Sequence, residues 1–302
     1  MIVKPKKKLW RKPLVYKDNL RIDLHIHSTA SDGTFSPLEI VNLAHKLKLG
    51  AISITDHDTI AGCQAVENEI PGSICFINGI EISAASPSFF PCSGSFHILG
   101  YGIKFDNSAL NQALTTLQKA RAERNPKIIE LLNNMGFDIS FSEVLEYAKN
   151  SQIGRPHIAG IMKQKGYVST INEAFDKFLG TGKPAYVDKY RISCENAVQI
   201  IKNAGGIPVI AHPGLLKPVS DILFEHAVYK LESIGIQGIE VYYPAHSKKQ
   251  TKLFSHLADR FGLLKTGGTD FHGEVSPGIN LGTGKGNFFV PYTLFEKLID
   301  RL

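Results

Sequence analysis

The sequence predicts an α/β fold, and about seven strand–helix units suggest a barrel. Three observations support this prediction. Short apolar runs rich in Ile and Val recur along the chain, which is typical of buried strands. Capped helices lie between several of these runs. Nearly every run ends at a residue type that binds metal, and the reactive groups of αβ barrels gather at the carboxyl ends of the strands.

The predicted strands alternate with helices whose start signals are visible in the sequence. The apolar runs are residues 21–27, 51–58, 74–81, 96–101, 207–212, 236–242 and 264–272. Ser36, followed by Pro37 and Glu39, predicts a capped helix. Ser193 and Ser247 predict two further helix starts, with glycines after each helix end. Because strand and helix repeat in this order, we expect a parallel sheet.

The middle of the chain, residues 106–186, has helical patterning and no convincing strand. Capping boxes begin at Ser140 and Thr170. Leu110, Leu114 and Leu117 form an apolar face at helical spacing. We therefore expect a helical insertion over residues 106–186 that could cover the site. It would interrupt a barrel domain made of residues 19–105 and 187–302.

The charge of the chain is concentrated at its N-terminus. The 302 residues are 43% apolar and 21% charged, as in an ordinary soluble globular protein. The formal charge of +6 is accounted for by Lys4, Lys6, Lys7, Lys8, Arg11 and Lys12, because the remaining chain has 28 basic and 28 acidic residues. We expect residues 1–18 to be a solvated basic arm, with weak RNA contact or tethering as the alternative.

The sequence contains no signal for membrane insertion or for a disulfide framework. No apolar run approaches the roughly 20 residues that span a bilayer. The four cysteines have no C-x-x-C spacing and are expected to be reduced, mostly buried thiols. We therefore expect a cytoplasmic protein with no membrane association and no obligatory protein partner.

Histidines and carboxylates recur in short motifs at the predicted strand ends. His25 and His27 face the same side of a strand, because side chains alternate with a period of two. Asp32 follows in a nearby loop. The same kind of motif recurs in Asp56-His57-Asp58 and Asp270-Phe271-His272. Each motif alone could be structural, but several imidazoles and carboxylates at one barrel mouth require cations to balance them. Carboxylates flanking His57 could also orient its ring.

Together these motifs resemble the PHP family, whose name comes from polymerases and histidinol phosphatases. The resemblance runs from Ile22 to about Gly282 and rests on His25-x-His27, Asp32, residues 55–58, Glu81, His97, residues 211–213 and residues 268–272. It implies a distorted (β/α)7 TIM-like barrel with a trinuclear metal site. Every position that the family uses to bind metal is occupied here by a residue able to do so.

The resemblance also implies which residues hold each metal, with Glu81 bridging two of them. The implied ligands are His25, His27, Glu81 and Asp270 for one metal, Asp32, His57 and His272 for a second, and Glu81, His97 and His212 for a third. We expect two or three divalent ions. Because the ligands are nitrogen and oxygen only, manganese, iron and zinc are all compatible with the site, and manganese is the ion that we expect.

A phosphate-binding motif follows in residues 154–157. This Gly-Arg-Pro-His stretch is similar to one in the PHP branch that cleaves nucleoside 3',5'-bisphosphates and short 5'-phosphorylated RNA. Pro156 suits the first turn of a helix, so Arg155 and His157 would flank its free N–H groups. An ordinary helix start explains the motif as well. Lys183 and Arg191 are weaker candidates for binding substrate, since surface exposure explains them equally.

The mechanistic hypothesis is phosphoester hydrolysis by a hydroxide held between metal ions, which lower its pKa toward neutrality. Arg155 would neutralise the phosphate, and His157 or Asp58 would pass a proton to the leaving oxygen. The predicted reaction releases the 3'-phosphate of nucleoside 3',5'-bisphosphates or acts on short 5'-phosphorylated RNA.

Three alternatives remain at this point. Histidinol phosphate could be the substrate instead of a nucleotide. An amidohydrolase that attacks a C–N bond would also open with a His-x-His motif, although those barrels commonly use a modified bridging lysine where this chain has Glu81. A non-catalytic nucleic-acid-binding module could use the basic arm and the helical insertion, but the complete ligand set argues against it.

Overall fold

The computed structural model describes residues 20–90, 92, 94–148, 153–216 and 220–302. The basic arm expected over residues 1–18 lies outside the described residues. The described chain is a mixed α/β fold with two sheets.

The smaller sheet is parallel and contains three strands in sequence order. These are β1 (Ile22–Ile26), β2 (Ala51–Ile54) and β3 (Cys75–Phe76). The larger sheet has the order β6-β4-β5-β7-β8-β9. Its strands are β4 (Gly79–Ala85), β5 (Phe96–Tyr101), β6 (Ile192–Ser193), β7 (Ile207–Ile210), β8 (Gly238–Tyr242) and β9 (Leu264–Gly267).

Strand β5 departs from the expected parallel arrangement, because it runs antiparallel to both β4 and β7. The connection from Ala85 to Phe96 has no helix among its described residues. A parallel neighbour would need a crossover of about a dozen residues or more, usually a helix. The prediction of an all-parallel sheet is therefore wrong at β5. Its reversed direction puts the start of β5 at the same edge as the carboxyl ends of the parallel strands.

Two short bridges connect the sheets. Ile26 in β1 pairs with Phe271, which follows β9, and His57, which follows β2, pairs with Glu81 in β4. Backbone hydrogen bonds support both contacts, from the His27 N–H to the Phe271 carbonyl and from the Asp58 N–H to the Glu81 carbonyl. The strand ends that carry the predicted ligands are thus held against one another.

Helices outside the middle segment begin largely where the sequence predicts. They are α1 (Pro37–Lys46), α2 (Ala61–Val66), α7 (Cys194–Asn203), α8 (Asp221–Ser233), α9 (Lys248–Arg260) and α10 (Tyr292–Arg301). Ser36 and Glu39 form the expected capping box, and Ser193 and Ser247 cap α7 and α9. These caps satisfy N–H groups that the first helical turn leaves without partners.

The middle segment forms helices α3 (Ser108–Asn134), α4 (Phe141–Tyr147), α5 (Arg155–Gln164) and α6 (Ile171–Ala174), followed by a π-helical turn (Phe175–Leu179). Its described residues contain no strand before β6. Their apolar side chains, including Ile128, Leu132, Val144, Ile158 and Met162, form a hydrophobic cluster of their own. The first turns of α3 instead pack on the sheet core through Leu110, Leu114 and Leu117. Helix α3 therefore belongs to both cores.

Two further sequence expectations concern the cysteines and membrane insertion. Cys63, Cys75, Cys92 and Cys194 are free thiols, of which Cys63 and Cys194 are buried. None of the helices in the described ranges has the length and apolar content that a membrane crossing requires.

Candidate metal centre

The predicted ligands converge at one edge of the two sheets. His25 lies in β1 and His27 directly after it, both fully buried. Glu81 lies within β4 and His97 at the start of β5. The antiparallel direction of β5 explains why His97 reaches this edge from the beginning of its strand.

Three overlapping groups of side chains could each hold a metal ion. Within each group the possible ligand atoms lie within 4.8 Å of one another. The groups are His25, His27, Glu81 and Asp270; His27, Asp32, His57 and His272; and His57, Glu81 and His97. The first group is the set that the family resemblance implies. The second also contains His27, and the third contains His57 where the resemblance implies His212.

Glu81 stands at the middle of the cluster through its Oε2 atom. This oxygen lies 2.9 Å from His57 Nδ1, 3.2 Å from His27 Nε2 and 3.4 Å from His25 Nε2. Three imidazole nitrogens, from the ends of β1 and β2, therefore face a single carboxylate oxygen. A carboxylate in this position is able to bridge cations.

The other oxygen of Glu81 contacts the histidines of the larger sheet. Its Oε1 lies 2.9 Å from both His97 Nδ1 and His212 Nε2. The two imidazole nitrogens are themselves 3.3 Å apart. His212 is thus in contact with two of its implied co-ligands, although it falls outside the three compact groups.

The buried donor atoms of the cluster fit metal ions better than they fit one another. His25 Nε2, His27 Nε2, Asp32 Oδ1 and Glu81 Oε2 are buried and accept or donate no hydrogen bond. The two imidazole nitrogens lie within 3.1–3.4 Å of carboxylate oxygens but without hydrogen-bond geometry. Buried polar atoms in native proteins are nearly always hydrogen-bonded. Nitrogen and oxygen donors at this spacing, left without hydrogen bonds, are the donor set that a divalent transition metal requires.

Electrostatics hold the carboxylates of the cluster ionised. Burial alone would raise the pKa of Glu81, but His57, His97 and His25 together bring it well below its usual range. Burial would likewise raise the pKa of Asp270, but His25, His272 and His27 bring it well below its usual range. Metal ions are coordinated by ionised carboxylates, so these two side chains are already in the form that binds a cation.

Two further residues hold the ligands in place through polar contacts. The sequence analysis did not single them out. Glu240, fully buried in β8, lies 2.9 Å from His25 Nδ1 and accepts a hydrogen bond from the His212 N–H at 2.6 Å. Tyr243 donates from its hydroxyl to Asp270 Oδ2 at 3.0 Å. A carboxylate behind a ligating imidazole fixes the ring orientation. An acid in the middle of an apolar strand was the available signal for Glu240.

The two carboxylates that flank His57 have separate anchoring roles. Asp56 accepts hydrogen bonds from the Ser28 backbone and hydroxyl at 2.7 Å and from the Ser31 hydroxyl at 2.6 Å. Its side chain therefore fixes the loop that follows β1.

Asp58 is bound by two cations and by Ser83. Its Oδ2 lies 2.8 Å from Arg121 Nη2 and 3.1 Å from Lys189 Nζ, and Ser83 donates to it through both its N–H and its hydroxyl. Burial would raise the pKa of Asp58, but Lys189 and Arg121 lower it well below its usual range. This arrangement weighs against the expected proton-transfer role, because a carboxylate held ionised is a poor proton donor.

Backbone strain is concentrated at the same edge. Among the described non-glycine residues, only Lys48, Asp58, His212 and Asp270 have positive φ, at 56°, 56°, 27° and 53°. Three of these four belong to the cluster or adjoin it. Residues in sparsely populated backbone regions persist where the surrounding structure fixes them, and they concentrate at functional sites. Gly268 supports this packing, since a Cβ there would clash with the backbone of His25.

The Gly154–His157 stretch lies beside the cluster, but its side chains are already engaged. His157 Nδ1 accepts a hydrogen bond from the Gly154 N–H at 3.0 Å and caps α5. Burial, and then Arg121 and His272, lower the pKa of His157 against the opposing effect of Asp32. The ring is therefore neutral, with its proton on Nε2.

The other predicted substrate-binding residues lie on the side of the helical segment. Arg155 donates to the Leu179 carbonyl at 2.9 Å and its guanidinium lies 5.6 Å from the Phe175 ring. Arg191 pairs with Asp188 at 2.6 Å. The side chain of exposed Lys183 makes no hydrogen bond or ion pair with any described residue. The sequence analysis did not single out three other described cationic residues, Arg121, Arg124 and Lys189. The spacing of Arg121 and Arg124 nevertheless places them on one helix face.

Comparison with known proteins gives consistent matches over this fold and site. The PHP domain model matches residues 23–150. The chain is 34% identical over 263 residues to the 3',5'-nucleoside bisphosphate phosphatase of Chromobacterium violaceum, covering 86% of this chain and 90% of that protein. It is 30% identical over 263 residues to the 5'-3' exoribonuclease Rnm of Salmonella typhimurium, covering 86% and 87%. A candidate metal-dependent phosphoesterase from Bifidobacterium adolescentis superimposes with a TM-score of 0.81 at 28% identity, over 95% of this chain and 98% of that one.

The α/β fold, the histidine–carboxylate cluster and these matches define a metal-dependent phosphoesterase, a hydrolase of phosphoric esters. The chain belongs to the PHP-domain family, as the sequence motifs predicted.

Proposed function

We propose that the chain is a nucleotide phosphatase that releases the 3'-phosphate of nucleoside 3',5'-bisphosphates and also acts on short 5'-phosphorylated RNA. The observation that carries this proposal is the set of imidazoles and carboxylates around Glu81, whose buried donor atoms lack hydrogen bonds. The relatives named as a bisphosphate phosphatase and as 5'-3' exoribonucleases support the substrate class.

The metal ligands of the proposed enzyme are the nine side chains that the sequence singled out. They are His25, His27, Asp32, His57, Glu81, His97, His212, Asp270 and His272. Two or three divalent ions are proposed. Nitrogen and oxygen ligands without a thiolate are compatible with manganese, iron and zinc, and of these we propose manganese. Metal ions at such a site activate water and neutralise the charge that develops on phosphate.

The protein's own groups hold the ligands and the substrate. Glu240 orients the ring of His25 and holds the backbone N–H of His212 through the two contacts described above. Tyr243 orients the carboxylate of Asp270. His157 presents a neutral imidazole whose Nε2–H suits a hydrogen bond to a phosphate oxygen better than full proton transfer. Asp58 organises Arg121 and Lys189 instead of carrying a proton.

We further propose that the two sheets form one distorted (β/α)7 barrel with a helical insertion over residues 106–186. The bridges of Ile26 to Phe271 and of His57 to Glu81 support a ring of the strands β1, β2, β4, β5, β7, β8 and β9. The separate hydrophobic cluster of the helical segment supports its treatment as an insertion between residues 19–105 and 187–302.

Phosphate release from three substrates tests the proposed function. The manganese-loaded protein is compared on adenosine 3',5'-bisphosphate, histidinol phosphate and a short 5'-phosphorylated RNA, with amide and lactone substrates beside them. We expect the bisphosphate or the RNA to have the highest kcat/KM. A rate that strongly favours histidinol phosphate would overturn the substrate class, and preferential cleavage of an amide or a lactone would overturn the reaction type.

A further inference from the structure

A cleft of about 330 Å³ opens at the carboxyl end of β8, and we refer to it as the aromatic cleft. One wall comes from the end of β8, the segment after it and α9, and the other from residues 285–289. The walls meet at Gly284, where an added Cβ would stand 3.1 Å from Pro244. A volume of this size is within the range of small-molecule sites. Five side chains that line the cleft carry rings: Tyr242, Tyr243, His246, Phe288 and Phe289.

Tyr243 forms the boundary between the aromatic cleft and the candidate metal centre. Its hydroxyl donates to Asp270 Oδ2 at 3.0 Å, and its ring centroid lies 5.7 Å from that of His212. The same ring lies 5.1 Å from the ring of His246, which lines the cleft. A substrate that extends from the metal centre past Tyr243 therefore enters the aromatic cleft.

Two rings of the cleft are held in place by neighbouring groups. His246 Nε2 accepts a hydrogen bond from the Gly214 N–H at 3.1 Å, and its Nδ1 donates to the Val241 carbonyl at 3.0 Å. The Arg21 guanidinium lies 6.0 Å from the ring centroid of Phe289, whose side chain is still 38% exposed. Proteins that bind single-stranded nucleic acid use such accessible rings to stack bases.

The charge of the aromatic cleft suits a nucleic-acid strand. Lys285 is the one charged residue that lines it, and its exposed side chain makes no hydrogen bond or ion pair with any described residue. A second cavity, of about 670 Å³, is lined by Gly33, next to the ligand Asp32, and by His157. Its other lining residues include four glutamates and one lysine: Glu39, Glu143, Glu146, Glu274 and Lys165. Because carboxylates repel phosphates, the strand is directed to the aromatic cleft.

Cleavage of RNA, unlike release of phosphate from a bisphosphate, requires room for a second nucleoside. In both proposed reactions the oxygen of water forms a bond to phosphorus and the bond from phosphorus to the 3'-oxygen breaks. A proton from the water passes to that 3'-oxygen. In RNA the phosphorus also carries the 5'-oxygen of the following nucleoside, which stays on the phosphate product. This following nucleoside must lie outside the metal centre while its phosphate is bound there.

We propose that the aromatic cleft binds the nucleoside on the 3' side of the scissile phosphate of RNA. Its base stacks on the exposed ring of Phe289, and Lys285 contacts the next phosphate along the strand. This assignment rests on the proposed function and specifies the part of the site that RNA uses and a bisphosphate does not. Because every base has a π-face, we expect no strong preference for one base.

Substrates with and without the second base test the proposal. The manganese-loaded protein is compared on the 5'-phosphorylated RNA dinucleotide pApA and on the same molecule without its second base. Wild type should cleave complete pApA with a kcat/KM about five- to a hundredfold higher, the range expected for stacking one base on an aromatic ring. Phe289→Ala should lose most of this preference, with kcat/KM for adenosine 3',5'-bisphosphate unchanged within about twofold. Tyr229→Ala, an exposed aromatic side chain on α8, is the matched control and should keep the preference.

The next phosphate along the strand gives a separate test through Lys285. A 3'-phosphate added to pApA should raise kcat/KM in wild type by about two- to fivefold, the effect of one exposed ion pair. Lys285→Met should remove this gain and leave cleavage of pApA itself unchanged. Lys297→Met, an exposed charge on α10, is the matched control and should keep the gain.

Three results would overturn the proposal. Equal kcat/KM values in wild type for pApA and its abasic form would show that no second base is bound, and this comparison does not depend on the folding of a variant. Equal losses in Phe289→Ala on pApA, its abasic form and the bisphosphate would mean that Phe289 acts only through the structure. A full preference for the second base in Phe289→Ala would place that base outside the aromatic cleft.

Binding of an uncleavable dinucleotide separates this proposal from the proposed function. In this analogue of pApA a methylene group replaces the bridging 3'-oxygen, so the bond to phosphorus is not hydrolysed. Calorimetry on the manganese-loaded protein should give a dissociation constant about fivefold or more lower than for the abasic analogue, and Phe289→Ala should abolish the difference. If the protein cleaves no phosphate ester but shows this difference, the proposed function fails and the nucleoside site stands. Equal affinities in wild type would remove the nucleoside site even where the bisphosphate is hydrolysed.

Discussion

Arg121 of α3 and Asp58 after β2 form a buried ion pair, with Nη2 and Oδ2 2.8 Å apart. The pair connects the helical segment to the strand end that carries His57, across 63 residues of sequence. Lys189 joins the same carboxylate oxygen at 3.1 Å. One buried acid therefore fixes two cationic side chains beside the candidate metal centre.

Asp58→Asn is expected to destabilise the protein strongly. The substitution deprives Arg121 and Lys189 of their shared negative charge while both remain buried, and breaking a buried pair costs about 3–5 kcal/mol. The free energy of unfolding from chemical denaturation measures the loss. Glu123→Gln is the control, because Glu123 is exposed and pairs with Lys119 only at 3.9 Å, so its change should stay below about 1 kcal/mol. Similar unfolding free energies for the two variants would contradict the anchoring role of Asp58.

Glu81→Gln is expected to remove activity and bound metal together. The carboxylate contacts imidazoles from every proposed metal group, and an amide cannot bridge cations in its place. We expect kcat/KM to fall on the order of a thousandfold or more. Elemental analysis should show a lower metal content than in wild type. Glu232→Gln, an exposed acid on α8, is the control. Full activity and metal content in Glu81→Gln would refute the proposed centre.

Glu240→Gln is expected to weaken metal binding with less effect on folding. Glu240 fixes the His25 ring and the backbone at His212, and such supporting contacts contribute about ten- to a hundredfold to metal affinity. Competition with a chelator measures the dissociation constant. Exposed Glu69→Gln should leave it unchanged. If Glu240→Gln bound metal as tightly as wild type, Glu240 would have no positioning role.

The metal-free protein should lose stability as pH rises above neutrality. Although burial opposes it, Asp270 and Glu81 raise the pKa of His27 to about 10 in the folded protein, well above the ordinary value of 6.5. A raised folded pKa stabilises the protein fully below pH 6.5, and this stabilisation is lost as pH rises through about 10. Metal occupancy should abolish the effect, because a ligating imidazole carries no proton on the coordinating nitrogen.

Thermal unfolding between pH 6 and 10 measures this difference. The Tm of chelator-treated protein should fall across this range more than the Tm of manganese-loaded protein. Calorimetric titration of manganese near pH 7 in buffers of different ionisation enthalpy should show proton release. Parallel Tm curves and no proton release would mean that the imidazoles of the metal-free cluster are already neutral.

Much of the site was predictable because its ligands belong to short motifs at strand ends, which can be recognised in the sequence. The period of two at the end of β1 places His25 and His27 on one face, and the segment after β9 repeats that spacing at Asp270 and His272. The helix caps at Ser36, Ser193 and Ser247 were predictable for the same reason, since a cap depends on residues three positions away. The family followed from these motifs, and the comparisons confirm it.

The direction of β5 could not be predicted from its own residues. Its run of apolar residues looks the same in either direction, and the reversal follows from a connection too short for a crossover helix. The prediction of seven parallel strands therefore failed at the strand that carries His97. The histidine still reaches the cluster, because reversing the strand moved its start to the ligand edge.

The sequence by itself determined the chemistry of this protein: which side chains can bind metal, and at which strand and helix ends they stand. Only the tertiary structure decided how distant residues pair. Glu240 reaches His25 across 215 residues, and Lys189 reaches Asp58 across 131. Such contacts leave no periodic trace in the sequence, because they depend on how strands and helices pack and not on the spacing of residues along any one of them.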